Sequence, residues 1–125
     1  MLTLDSNILI SYLNGDERVV KQLLWWRNSG AKFFISAITE VEVRALPRLT
    51  KKELDKIDRF LKEFTVIAVD SQLARLAARI RRSRKIGLGD SVVVATAQLT
   101  NSTLITQDKD LFKRAKSIIR TQAIK

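Results

Sequence analysis

The chain has 125 residues, 46% of them apolar and 29% charged, with four glycines and one proline. That mixture fits one compact domain with a core of its own and excludes a disordered chain. Cysteine and histidine are both missing, which removes disulfides, thiolate nucleophiles, histidine-ligated zinc and Ser-His chemistry. With 23 basic against 13 acidic residues, the net charge is +10. Such a charge predicts attraction to nucleic acid or an acidic partner, although it also serves solubility alone.

Leu2-Thr3-Leu4 reads as a short strand, and Asp5-Ser6-Asn7 as the start of a helix that runs from Ile8 to Leu13 and breaks at Asn14-Gly15. Asp16 caps a second helix with an apolar stripe at Val19, Val20, Leu23, Leu24 and Trp26, ended by Ser29-Gly30. Trp25, about 100° round from Trp26, falls at the edge of that stripe. Phe33-Phe34-Ile35 is the next strand and leads into a helix from Ile38 to Leu46, where Pro47 stops it.

Thr50-Lys51-Lys52-Glu53 has the capping-box pattern and opens a helix to Glu63, with Leu54, Ile57, Phe60, Leu61 and Phe64 as its apolar positions. Thr65 to Val69 is rich in β-branched residues and predicts a strand. Asp70 or Ser71 caps a helix whose apolar face is Leu73, Leu76, Ala77 and Ile80. After Gly87-Leu88-Gly89, a flexible approach, Asp90 opens a helix that is apolar nearly all round and therefore buried. Thr103 to Thr106 is a strand, Asp110 to Lys116 a short helix, and Ser117 to Ile119 a last strand. Alternating strands and helices predict a parallel sheet covered on both faces.

Four acids stand where strands meet loops or helices meet the core. Asp5 follows the first strand and Asp108 the fourth, so they approach each other if those strands are neighbours. Glu42 shares one side of its helix with Ile38, Val41 and Ala45, which predicts an inward-facing acid, with Glu40 turned to water. Such an acid calls for a metal or an interior salt bridge. Asp90 gains from the dipole of the helix it opens. Capping alone accounts for Asp5, Asp90 and Asp108 as well. Taken together, the four carboxylates predict a site for a hard divalent cation.

These segments resemble known motifs. Leu4-Asp5-Ser6-Asn7-Ile8-Leu9-Ile10 is similar to the first motif of PIN-domain ribonucleases, particularly the VapC-type toxins of toxin–antitoxin pairs. Residues 35–43 resemble the second motif, with its acid at Glu42. Asp90 to Ala97 resembles the third, and Leu104 to Asp110 the fourth, where Asp108 and Asp110 both suit the acid.

The resemblance implies a three-layer α/β/α domain with a central, mostly parallel sheet over residues 1–125. It also implies a Mg2+-dependent endoribonuclease (Mn2+ serving in its place) that cuts single-stranded or looped RNA. Asp5 and Asp90 would hold the metal, while Glu42 and Asp108 complete the negative pocket and orient the attacking water. Ser6, Asn7 and Thr106 would hydrogen-bond the carboxylates, or serve only in turns and caps. A homodimer and a cognate antitoxin are implied as partners. An RNA-processing nuclease outside any toxin–antitoxin pair, or a non-catalytic RNA- or partner-binding module, are the alternatives. The basic run Arg75, Arg79, Arg81, Arg82, Arg84 and Lys85 would draw RNA toward Asp90, or simply be a solvated face. The N-terminus shows no leader pattern, and no apolar stretch approaches the roughly 20 residues of a membrane span, so no membrane association and a cytoplasmic location are expected.

Overall fold

Residues 1–124 are described by the structure, a computed structural model. Strands Leu2–Leu4 (β1), Phe33–Ser36 (β2), Thr65–Ile67 (β3), Thr103–Ile105 (β4) and Thr121–Gln122 (β5) form one sheet in the order β3-β2-β1-β4-β5. Every pairing is parallel. Parallel neighbours cannot be joined by a hairpin, so helices make the crossovers. These are Ser6–Leu13 (α1), Glu17–Asn28 (α2), Ala37–Arg44 (α3), Lys51–Leu61 (α4), Ser71–Arg84 (α5), Leu88–Leu99 (α6) and Lys109–Ala115 (α7).

Successive strand residues point to opposite faces, and this splits the core in two. Leu4, Ile35 and Ile105 pack against Ile8, Leu9, Val19, Leu23, Trp26, Ile57 and Leu61 of α1, α2 and α4. Leu104 faces the other way, toward Leu73, Ala77 and Ile80 of α5, the middle of α6, and Leu111 and Ala115 of α7. The result is the three-layer α/β/α arrangement expected from the sequence.

Most helix ends follow from local chemistry. Asp16 and Asp70 cap α2 and α5, and the capping box of Thr50 and Glu53 is formed in full. Gly15 and Gly30, at φ 78° and 84°, turn the chain after α1 and α2 in a conformation costly for other residues. Helix α6 is buried from Ser91 to Ala97. Its hydroxyls are satisfied within the molecule: Thr96 Oγ1 donates to the Val92 carbonyl and Thr100 Oγ1 to that of Thr96, each at 2.8 Å.

Four sequence expectations need correction. Residues 117–119 are not a strand: the N–H groups of Ile118 and Ile119 both donate to the Ala115 carbonyl, closing a turn after α7. The edge strand forms later, at Thr121–Gln122, opposite Leu104 and Ile105. The strand foreseen at Thr65 to Val69 stops at Ile67, and as the other sheet edge it leaves Val66 and Val69 exposed. Leu24 and Leu54, assigned to inward stripes, are 42% and 45% exposed. The stripe of α2 is narrower than its composition suggests, with Val19, Leu23 and Trp26 inside and Trp25 outside. Asp90 does not open its helix: α6 begins at Leu88, with Gly87 as its cap. Among the described residues no helix is long and apolar enough to cross a membrane.

Leu104 is fully buried on a central strand, between β1 and β5. Replacing it by Ala is expected to cost about 2–5 kcal/mol through lost transfer energy and the cavity left behind. A urea titration monitored by circular dichroism would check this, and a loss below about 1 kcal/mol would contradict the packing described.

Candidate active site

The chain winds outward from β1 to β2 and β3, then returns to place β4 on the other side of β1. The boundary between β1 and β4 is therefore the switch point of the sheet, where open α/β folds form a crevice beyond the carboxyl ends of the strands. Leu4 lies opposite Ile105, and the Asp5 N–H donates to the Ile105 carbonyl at 3.0 Å, carrying the pairing one residue further.

Asp5 is only 5% exposed, yet it is well held. Its Oδ1 accepts from the Ser6 N–H at 2.8 Å as the cap of α1. Its Oδ2 accepts from Thr106 Oγ1 at 2.7 Å and from Asn7 Nδ2 at 3.1 Å. The other end of the Asn7 amide accepts from the Gln107 N–H, and Thr106 Oγ1 accepts from the Asp108 N–H, both at 3.1 Å. Asn7 and Thr106 thus lock the turn after β1 to the turn after β4. Burial raises the Asp5 pKa from its ordinary value, against the lowering effect of the Thr106, Ser6 and Asn7 hydrogen bonds.

Glu42 reaches this cleft by a route other than the one foreseen. The side of α3 that enters the core is Thr39 and Val43, while Val41 (63% exposed), Glu42 and Ala45 are exposed. Three apolar residues at helical spacing, Ile38, Val41 and Ala45, suggested an inward face, but α3 is short, so only a narrow stripe is covered. Glu42 needs no buried counterion there. Its Oε2 accepts a 3.4 Å bond from Ser6 Oγ, which brings it beside the Asp5 turn. Partial burial and the Asp5 charge raise its pKa. Glu40, expected to face water, is half-buried and pairs with Arg44 at 2.8 Å.

Asp90 lies in the first turn of α6, one turn inside the Gly87 cap, and the stretch foreseen as a flexible approach is the start of the helix. Gly87 and Gly89 have no left-handed conformation, and a Cβ at Gly89 would meet only Ile38 Cδ1 at 3.8 Å. Among the described residues nothing donates a hydrogen bond to the Asp90 carboxylate. Burial, then the charges of Asp5, Asp108, Glu42 and Asp110, push its pKa up to about 6. That outcome overrides the helix dipole, which alone would favour the anion.

Asp108 is exposed and caps α7 through the N–H groups of Asp110 and Leu111, at 3.0 and 3.1 Å. Asp110 turns to Arg114 and pairs with it at 3.1 Å. Of the two acids that suit the fourth motif, Asp108 is therefore the one left without a counterion, and it acts on Asp90 more strongly than Asp110 does.

In a protein with ten more positive than negative charges, this lack of counterions is informative. Among the described residues six ion pairs occupy Asp16, Glu40, Asp58, Glu63 and Asp110, and none includes Asp5, Glu42, Asp90 or Asp108. The donor set is all oxygen, negative, and free of competing cations, which suits a hard divalent ion. Among the described residues no three acids stand close enough to grip an ion together. The arrangement fits an ion held by one or two carboxylates and reached by the rest through water, the usual habit of Mg2+.

The PIN domain family matches residues 2–117. The chain belongs to that family. No curated protein matches it by sequence. Among solved structures, it is similar to a toxin–antitoxin complex from Klebsiella pneumoniae, with 26% identity, a TM-score of 0.83, and coverage of 98% of this chain and 96% of that one. FitAcB from Neisseria gonorrhoeae is similar at 26% identity and a TM-score of 0.74, covering 97% and 96%. VapBC2 from Rickettsia felis, bound to a DNA fragment from their promoter, shares the fold at 20% identity and a TM-score of 0.82, covering 98% and 97%. PIN domains are nucleases, and in this one Asp5, Glu42 and Asp108 act together on Asp90 at the switch point.

What the motifs did not disclose is the apolar rim: Val41 and Leu88, each 63% exposed, stand next to Glu42 and two residues before Asp90. Only the exposure of two large side chains in otherwise buried patterns reveals them.

The raised Asp90 pKa has a consequence for stability in metal-free buffer. Between the unfolded value, near 3.8, and about 6, the folded chain binds a proton that the unfolded chain does not. Stability therefore falls as pH rises through this window, and the penalty is complete above it. Asp90→Asn is expected to stabilise the EDTA-treated protein at pH about 7.5 by roughly 1 kcal/mol once solvent screening is discounted. That gain is several degrees in Tm for a domain of this size. It should vanish near pH 4. A Tm gain independent of pH would contradict the electrostatic origin.

Proposed function

We propose that residues 1–125 form a single metal-dependent endoribonuclease domain, the toxin of a toxin–antitoxin pair, acting in the cytoplasm on single-stranded or looped RNA. The observation that carries the reading is the set of four acids, Asp5, Glu42, Asp90 and Asp108, coupled in one cleft without a counterion. The match to the PIN family supports nuclease chemistry, and the motif resemblance to VapC-type toxins supports RNA as the polymer.

In this reading Asp5 and Asp90 are the residues that would hold a Mg2+ ion, or Mn2+ in its place. A divalent ion, when bound, supplies positive charge to the phosphate and acidifies a water. The protein's own groups do the rest. Thr106, Asn7 and the Ser6 N–H fix the Asp5 oxygens, so the ligand geometry is set before substrate arrives. Asp90 remains ionised at neutral pH although burial opposes it. Glu42, accessible and tethered only by Ser6, accepts a hydrogen bond from the attacking water and orients it. Asp108, fixed by its capping bonds, closes the negative pocket on the β4 side.

Solved toxin–antitoxin structures of the same fold support an antitoxin partner. An apolar cleft of about 410 Å3 is the surface we assign to it. Tyr12 and Phe60, stacked at 4.7 Å, line it with Leu24, Phe33 and Phe64, together with Arg27, Lys32 and Glu63. A homodimer, as the resemblance implies, would use the apolar rim at Val41 and Leu88.

Purified protein is expected to cut RNA with Mg2+ or Mn2+ and not with EDTA, and Asp5→Asn and Asp90→Asn should each lose at least about 10²-fold. Cutting that survives both substitutions would sink the mechanism. Leu24→Glu is expected to weaken calorimetric binding of the protein encoded by the adjacent gene by roughly tenfold or more, with RNA cleavage unchanged. Unaltered binding would place the partner elsewhere.

A further inference from the structure

The basic run between Ser71 and Gly89 contains six cations and no acid. The fold does more with it than expose it. Arg75, Arg79 and Arg82 recur at i, i+4 and i+7 on α5 and so line one side of the helix, at steps of about 5–6 Å. Among the described residues, no carboxylate pairs with Arg79, Arg82 or Arg84, so their guanidinium groups are open to an outside anion. Arg84 instead donates from Nε to Ser117 Oγ at 3.2 Å, which joins the end of α5 to the turn after α7.

A shallow cleft of about 620 Å3 lies between that turn and Arg79, Arg82 and Arg84. A second, of about 580 Å3, shares Ser117 and Ile118 with the first and is lined by Lys116 and Arg120 beside β5. The two clefts adjoin at Ser117 and Ile118, and among the described residues this groove has five cations and no acid on its walls. None of the four cleft acids lines it, so it is separate from the candidate active site.

We infer that this groove is a phosphate track: it holds the sugar–phosphate backbone of an RNA strand outside the catalytic cleft, adding affinity without reading sequence. Guanidinium groups without carboxylate partners match phosphate oxygens in charge and in their paired donors. No aromatic side chain lines either cleft, so the groove has no platform for stacking a base and no large anchor for a protein partner. The choice of RNA rests on the function proposed above; the anion site itself rests on the unpaired arginines.

The test uses binding in EDTA, so that no cutting is involved. Anisotropy of a labelled single-stranded RNA is measured over a range of KCl concentrations for the unmodified protein and for Arg79→Gln/Arg82→Gln. Both arginines are exposed, and unchanged thermal melts confirm folding. Loss of two phosphate contacts should weaken binding several-fold at low salt and reduce the slope of log K against log salt by about 1.4. Arg18→Gln/Lys21→Gln, which removes the same charge from α2, should leave the slope as it was. Equal slopes for the two double variants would overturn the track, and weakened binding of the adjacent-gene protein by the first pair alone would assign the groove to an acidic protein instead. Cleavage with Mg2+ separates this from the broader reading. An unmodified protein that never cuts but shows the slope difference keeps the track and loses the nuclease. Normal cutting with no slope difference does the reverse.

Discussion

Two strands from opposite ends of the chain, Leu2–Leu4 and Thr103–Ile105, lie side by side at the centre of the sheet, and the acid cleft exists because they do. Their parallel register sets Leu4 opposite Ile105, so the turns that follow both strands open at the same place. Asp5 and Thr106 then meet at 2.7 Å, and the Asn7 side chain spans from Asp5 to the backbone of Gln107. A slip of one residue would turn Leu104 and Ile105 to the wrong faces of the sheet, so both halves of the core enforce the register that the site needs.

The cleft is held together by everything except its charges. Asp5 is fixed by three donors, Asp108 by two backbone N–H groups and Glu42 by one hydroxyl, while Asp90 has the buried helix α6 behind it. Burial first, and repulsion between neighbouring carboxylates after it, raise the pKa values of Asp5, Glu42 and Asp90. Packing and neutral hydrogen bonds thus carry an electrostatic cost that a cation would remove. Asp110, two residues from Asp108, shows the contrast, since it pairs with Arg114. The unpaired arginines of α5 are the opposite pole of the same distribution: acids without cations in one cleft, cations without acids in another.

Several elements were legible in the sequence because their causes are local. The capping box at Thr50 and Glu53, the Asp70 cap, the breaks at Gly15 and Gly30, and the buried run from Ser91 to Ala97 all follow from backbone chemistry or unbroken hydrophobicity. The failures have a common cause as well. Ser117 to Ile119 carries a strand-like composition but folds as a turn, because the edge of β4 accepts a partner only where Arg120 to Gln122 can reach it. Leu24, Leu54 and Val41 continue apolar spacings beyond the width of surface that the sheet covers. Periodicity gives the direction of a helix face and not how much of it another layer will bury.

The sequence by itself determined the order of strands and helices, and with it a parallel sheet flanked by helices, because hydrophobic period and cap chemistry are properties of short segments. It also marked Asp5, Glu42, Asp90 and Asp108, through their motifs. Tertiary structure alone decided that Glu42 opens to the cleft instead of the core, and that part of the basic run lies close to Lys116 and Arg120. Each of those depends on which distant side chain occupies the neighbouring space, and no local pattern encodes a neighbour that the chain reaches only after it has folded.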